Sequence, residues 1–119
     1  MTDTPRTFVV SARTVALEPD PLDPAQVVSG SPEVSVLEIL SRAVAGDTVS
    51  VGVWQHTAGV STDVEADEVF VVLSGRATVE VDGGPTLQVG PGDVGVLSAG
   101  TATRWTIHED LRKVYLVTG

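Results

Sequence analysis

From residue 47 to residue 118 the chain is a succession of short valine-rich runs, each cut off by glycine, proline or an Asp-Gly pair. Such runs are too short to nucleate isolated helices and suit strands joined by tight turns. Residues 48–56 read as a strand with Ser50, Gly52, Trp54 and His56 on one face and Val49, Val51, Val53 and Gln55 on the other. Thr57-Ala58-Gly59 turns the chain. Residues 67–73 and 76–81 read as two further strands separated by Ser74-Gly75, and Asp82-Gly83-Gly84 is a hairpin signal. Residues 86–89, 94–97, 101–107 and 112–117 complete the set, the last two joined around Glu109-Asp110. This spacing predicts an all-β, antiparallel barrel or sandwich.

Residues 1–46 read differently, as an N-terminal arm leading into a core of residues 47–119. Thr7-Phe8-Val9-Val10 suits a short strand. Residues 17–24 carry three prolines and are expected to be extended, because proline lacks a donor and restrains its predecessor. Asp23 before Pro24 matches a helix cap followed by proline at the first helical position. Residues 35–43 suit a strand better than a short helix, although apolar periodicity alone allows both.

Charge and composition narrow the partners. Seven basic residues, only one of them lysine, stand against sixteen acidic ones, for a net charge of −9. Duplex binding needs clustered cations, so neither nucleic acid nor an anionic membrane surface is an expected partner. No apolar run approaches the roughly 18–20 residues of a membrane-spanning helix, and Met1 to Pro5 lacks the basic and apolar regions of a secretory leader. A cytoplasmic location is the expectation. With no cysteine, thiolate nucleophiles and thiolate metal sites are excluded. No Ser-His-Asp arrangement is legible.

Two motifs carry a family resemblance. Glu68-Val69-Phe70-Val71-Val72-Leu73-Ser74-Gly75 reads E-x6-G, and Gly92-Asp93 through Gly100 reads G-D-x6-G. The sequence resembles the cupin (RmlC-like jelly-roll) superfamily, and is most similar to the small single-domain cupins grouped with ureidoglycine aminohydrolase and the ethanolamine-utilisation cupins. Gly52-Val53-Trp54, Gly90-Pro91-Gly92-Asp93, Trp105 and Arg112-Lys113-Val114-Tyr115 add to the likeness, which covers residues 21–117. The resemblance implies a jelly-roll barrel with the arm packing on it or on a partner subunit, and a homodimer built by arm or edge-strand pairing.

The resemblance also implies a metal bound by three histidines and the motif glutamate. Glu68 holds the glutamate position here, but the histidine positions fall on Ser61 and Asp63, or with a shorter spacer on Thr62 and Val64, and in the second motif on Thr103. No metal and no cofactor is therefore expected, unless His56, Asp63 and Glu68 form an unusual site. His56 and His108 read as surface residues, Asp63-Val64-Glu65-Ala66-Asp67-Glu68 as a solvated acidic loop, and Lys113 as a cap to an acidic group on the barrel exterior.

In a barrel of this kind Glu68, Phe70 and Val72 would point inward. Glu68 is the candidate acid–base residue, alternatively a mouth residue paired to Arg or Lys or hydrogen-bonded to Thr103, Trp105 or Tyr115. Trp54, Phe70, Thr103, Trp105 and Tyr115 are the candidate ligand-binding residues. The expected function is binding of a small polar, carbonyl or nitrogenous metabolite in the barrel. An enzyme related to ureidoglycine aminohydrolase, or a non-catalytic structural or regulatory dimer, are the alternatives, and whether any reaction is catalysed stays open.

Overall fold

The computed structural model describes residues 6–119; the Met1–Pro5 segment read above lies outside the described residues. The described residues form nine strands, in chain order β1 (Glu18–Pro19), β2 (Val27–Ser29), β3 (Val34–Val44), β4 (Asp47–His56), β5 (Gly59–Val64), β6 (Asp67–Val81), β7 (Thr86–Val89), β8 (Val94–Leu97) and β9 (Ala102–Thr118). One turn of 3₁₀ helix, Pro24–Gln26, precedes β2. All pairings are antiparallel, and the sheet curls into a jelly-roll half-barrel.

The organising element is β9. Its first part pairs with β5, its last part with β4, and β6 runs along almost its whole length on the other side. β7 and β8 then pair with β6, and β3 extends the sheet beyond β4. Cross-strand neighbours share a face. The pairs Glu68 with Val117, Phe70 with Tyr115, Trp54 with Lys113 and Ser61 with Trp105 therefore all project into the cup. At its base Phe70, Val72, Val79, Leu97, Trp105, Ile107 and Leu111 form a dry core, with Trp54 and Tyr115 packed against it.

Three departures from the sequence reading have physical causes. Residues 101–107 and 112–117 are one continuous strand, because β6 and its neighbours supply partners across Glu109-Asp110. Likewise residues 67–81 are one strand, bent at Ser74-Gly75 by successive register shifts. Gly75 has φ +87°, and a Cβ there would strike the Asp110 carbonyl, so glycine is required at the bend. The stretch after Gly59, read as loop, is β5, which finds its partners in the distant β9 on one edge and β2 on the other.

In the arm, the capped turn forms as read. Asp23 accepts from the Ala25 N–H at 2.9 Å, and the Asp23 N–H donates to Gln26 Oε1 at 3.1 Å. The Gln26 amide also donates to the Thr62 carbonyl at 3.0 Å, tying the turn to β5. Residues 35–43 lie in β3, as expected. Residues 7–10, by contrast, form no strand, and Phe8 and Val9 are exposed. The chain just beyond them crosses the outside of the sheet. There Arg112 donates to the Ala12 and Val15 carbonyls and Arg13 to the Leu73 carbonyl. No helix of the described residues is long and apolar enough to cross a membrane.

Candidate functional site

A cavity of about 410 Å³ opens at the mouth of the cup. Trp54, Trp105 and Tyr115 line it together with Val34, Val36 and Val117, and Asp20, Pro21, Leu22 and Gln26 of the arm form one rim. Ser61, Asp63, Glu65, Glu68 and Lys113 supply its polar groups. Of the candidate residues named from sequence, Glu68, Trp54, Trp105 and Tyr115 thus face one space. Phe70 is fully buried beneath it, and Thr103 lies behind Trp105 without lining it. Tyr115 reaches the cavity because Gly52, its cross-strand neighbour, has no side chain; a Cβ there would meet the tyrosine hydroxyl.

Lys113 is the main correction to the sequence reading. It lies inside the cup, not on the exterior, and its residue exposure is 5%. Its Nζ donates to Glu68 Oε2 at 2.7 Å and stands 4.4, 4.6 and 4.7 Å from the ring centroids of Trp54, Phe70 and Trp105. The alternation within β9 carries this signal once the strand is continuous. Thr103, Trp105 and Ile107 are buried at odd positions, and the same parity reaches Leu111 and Lys113.

His56 is a second correction. It is buried, at 1% exposure, not a surface residue. Its Nδ1 lies 2.6 Å from the Thr57 carbonyl, which can only accept, so Nδ1 carries the proton. Nε2 is then the acceptor for the Ser61 hydroxyl at 2.9 Å. Burial, with a contribution from the Lys113 charge, lowers the imidazole pKa and keeps the ring neutral. His108 is exposed, on the opposite face of β9, and contacts the Thr78 hydroxyl.

Glu65, expected in a solvated acidic loop, is buried. The indole N–H of Trp105 donates to Thr103 Oγ1 at 3.2 Å, and the Thr103 hydroxyl donates to Glu65 Oε1 at 3.3 Å. Burial is the chief reason that the Glu65 carboxyl is pushed up to about 7. The negative charges of Asp63 and Glu68 add to the effect, and Lys113 opposes it. Tyr115 is also raised, mainly by burial and then by Glu38, Glu68 and Asp20.

These contacts bear on the metal that the motif resemblance implies. Such an ion needs free lone pairs. Both His56 nitrogens are engaged, the Thr103 hydroxyl belongs to the Trp105–Glu65 chain, and Glu68 is paired to an ammonium. No group of three or more His, Cys, Asp or Glu side chains is placed to hold a metal among the described residues, the His56–Asp63–Glu68 set included. The residues present do not fit that ion.

Comparison with known proteins agrees with this architecture. Residues 44–115 match the family model described as the EutQ-like cupin domain. A protein of unknown function of the DUF861 family from Pseudomonas syringae pv. tomato superposes with TM-score 0.76 at 25% identity, covering 88% of this chain and 45% of that one. This chain thus spans less than half the length of that relative. The Clostridium difficile EutQ protein gives TM-score 0.68 at 13% identity, covering 92% of this chain and 84% of its own. The Schizosaccharomyces pombe Cnp3 cupin domain gives 0.67 at 15%, covering 93% and 73%. Among curated proteins none matches.

Proposed function

Since the chain belongs to the EutQ-like cupin family, we propose that it uses the cup to bind a small polar metabolite bearing carbonyl or nitrogen groups, without a metal. The observation that carries this reading is the lining of the cavity: three aromatic side chains around the buried Lys113–Glu68 pair. Aromatic walls suit a flat ligand, and a few convergent polar groups orient it. Lys113 offers N–H donors to a ligand oxygen, while Glu68 and Glu65 offer acceptors to ligand N–H groups. Asp20, Asp63 and Glu68 outnumber Lys113 around the cavity. In a partly desolvated space this charge balance favours neutral or amino-bearing ligands over carboxylates.

Thermal shift and calorimetry with a panel of small amides, ureido compounds, amines and carboxylates test the reading. A saturable stabilisation by one of the first three classes, lost in Trp105→Ala and Glu68→Gln, is expected. Absence of binding across the panel overturns it. Should a bound compound also be turned over, Glu68→Gln decides whether Glu68 is the acid–base group: unchanged turnover excludes it.

We also propose that the chain forms a homodimer. Among the described residues the part of β3 beyond Val36 has no partner on its outer edge, and Val69, Val71, Val94, Val96 and Leu116 expose an apolar surface on β6, β8 and β9 of the same sheet. Light scattering at micromolar concentration is expected to give twice the 12.3 kDa chain mass; the monomer mass rejects it.

A further inference from the structure

We infer that the central cation of this cup is the chain's own Lys113 ammonium, an internal alkylammonium ion that takes the place of a bound metal against Glu68. The environment of Nζ is that of a recognised ligand. Three rings, on β4, β6 and β9, stand within 4.7 Å of it, the Glu68 carboxylate accepts from it at 2.7 Å, and Lys113 still lines the cavity. A ring-lined cage closed by a carboxylate is the arrangement that selects ammonium ions, because each ring face presents negative potential. The two side chains are 6% and 12% exposed, so the charges meet largely out of water. A buried ammonium without such partners would carry a large desolvation penalty.

The same arrangement excludes a divalent ion twice over. The ammonium fills the space in front of the Glu68 oxygen, and its charge repels a second cation held against the same rings. The neighbouring groups do not compensate, since the His56 Nε2 lone pair is taken by Ser61. An ammonium differs from a metal in what it offers: it donates hydrogen bonds but accepts no lone pair into a coordination sphere. The cup can therefore orient a ligand oxygen without generating a metal-activated water. This inference concerns the resident cation alone and holds whichever metabolite enters the cup.

The test is chemical rescue. Lys113→Ala leaves an empty cage facing Glu68. Ethylammonium chloride, against matched sodium chloride, is expected to raise the melting temperature of this variant saturably and leave the wild type unmoved. Lys113→Ala/Glu68→Gln is expected to lose the rescue. Equal shifts in the variant and the wild type overturn the inference. If Lys113→Ala does not fold, Lys113→Met and Lys113→Met/Glu68→Gln replace it. The double variant, with both charges removed, is expected to melt higher than the single, and the reverse order overturns the inference. Equilibrium dialysis of the wild type against Zn²⁺, Ni²⁺ and Mn²⁺ decides independently of any Lys113 variant. Uptake well below one ion per chain supports the internal cation; one ion per chain, lost in Glu68→Gln, overturns it. Because neither readout uses a metabolite, failure of the ligand panel leaves them unaffected.

Discussion

Glu65 receives the Thr103 hydroxyl proton at 3.3 Å from a residue thirty-eight positions away. The two segments are also joined through their backbones. Glu65 N–H donates to the Thr101 carbonyl at 2.9 Å, and Gly100 N–H donates to the Glu65 carbonyl at 2.8 Å. The carboxyl is thereby held in the wall of the cup, at 8% exposure, where its charged form is poorly solvated.

That position sets a pH dependence. The ordinary value for Glu65 is 4.5 and the folded value about 7, so between them the native state binds the extra proton. Stability from this group is complete below the ordinary value and is lost as pH rises through about 7. The loss is on the order of 3 kcal/mol. Urea unfolding at about pH 5 and pH 8 is expected to show this decline in the wild type and not in Glu65→Gln, whose amide still accepts from Thr103. Parallel profiles would contradict the assignment.

Gly52 permits Tyr115 to enter the cup. In Gly52→Ala the new Cβ meets both the Tyr115 hydroxyl and the Leu37 carbonyl. A destabilisation of roughly 1–3 kcal/mol is expected, as for other overpacked sites. Adding Tyr115→Phe is expected to recover only a small part of it, because the clash with the hydroxyl goes while those with the ring Cζ and the Leu37 carbonyl stay. Full recovery, or none, would show that the clashes are not shared in this way.

Arg112 holds the arm across the outer face. It donates to the Ala12 and Val15 carbonyls and to Gln55 Oε1. Hydrogen bonds from a charged donor are the stronger kind. Arg112→Ala is expected to cost about 2 kcal/mol and to speed amide exchange across residues 11–17. Exchange that stays at the wild-type rate would mean that other contacts hold the segment.

Which parts of this were readable from sequence follows from the range of the interactions. The inward face of Glu68, Phe70 and Val72 follows from alternation within one strand, and the Asp23 cap from its neighbours. The sequence places Lys113 outside because Glu109-Asp110 looks like a turn locally, whereas pairing of Glu109 and Arg112 with β6 and of Leu111 with β4 carries the strand through it. His56 shared its predicted face with Trp54, and that face proved to be the inner one. Glu65 carries no local signal: its hydrogen-bond partners are Gly100, Thr101 and Thr103, and its surroundings in sequence are acidic. The arm's course over Arg112 likewise depends on partners about a hundred residues distant.

The central place of β9 bears on how the molecule assembles. β4, β5 and β6 each take it as a partner, so a nascent chain that has not yet delivered residues 102–118 holds three strands with open edges. Such non-local topologies fold slowly and expose sticky intermediates. Synthesis of this domain therefore passes through a vulnerable interval that ends only when its last strand slides between the others, and a ribosome stalled before that point would present an aggregation-prone sheet.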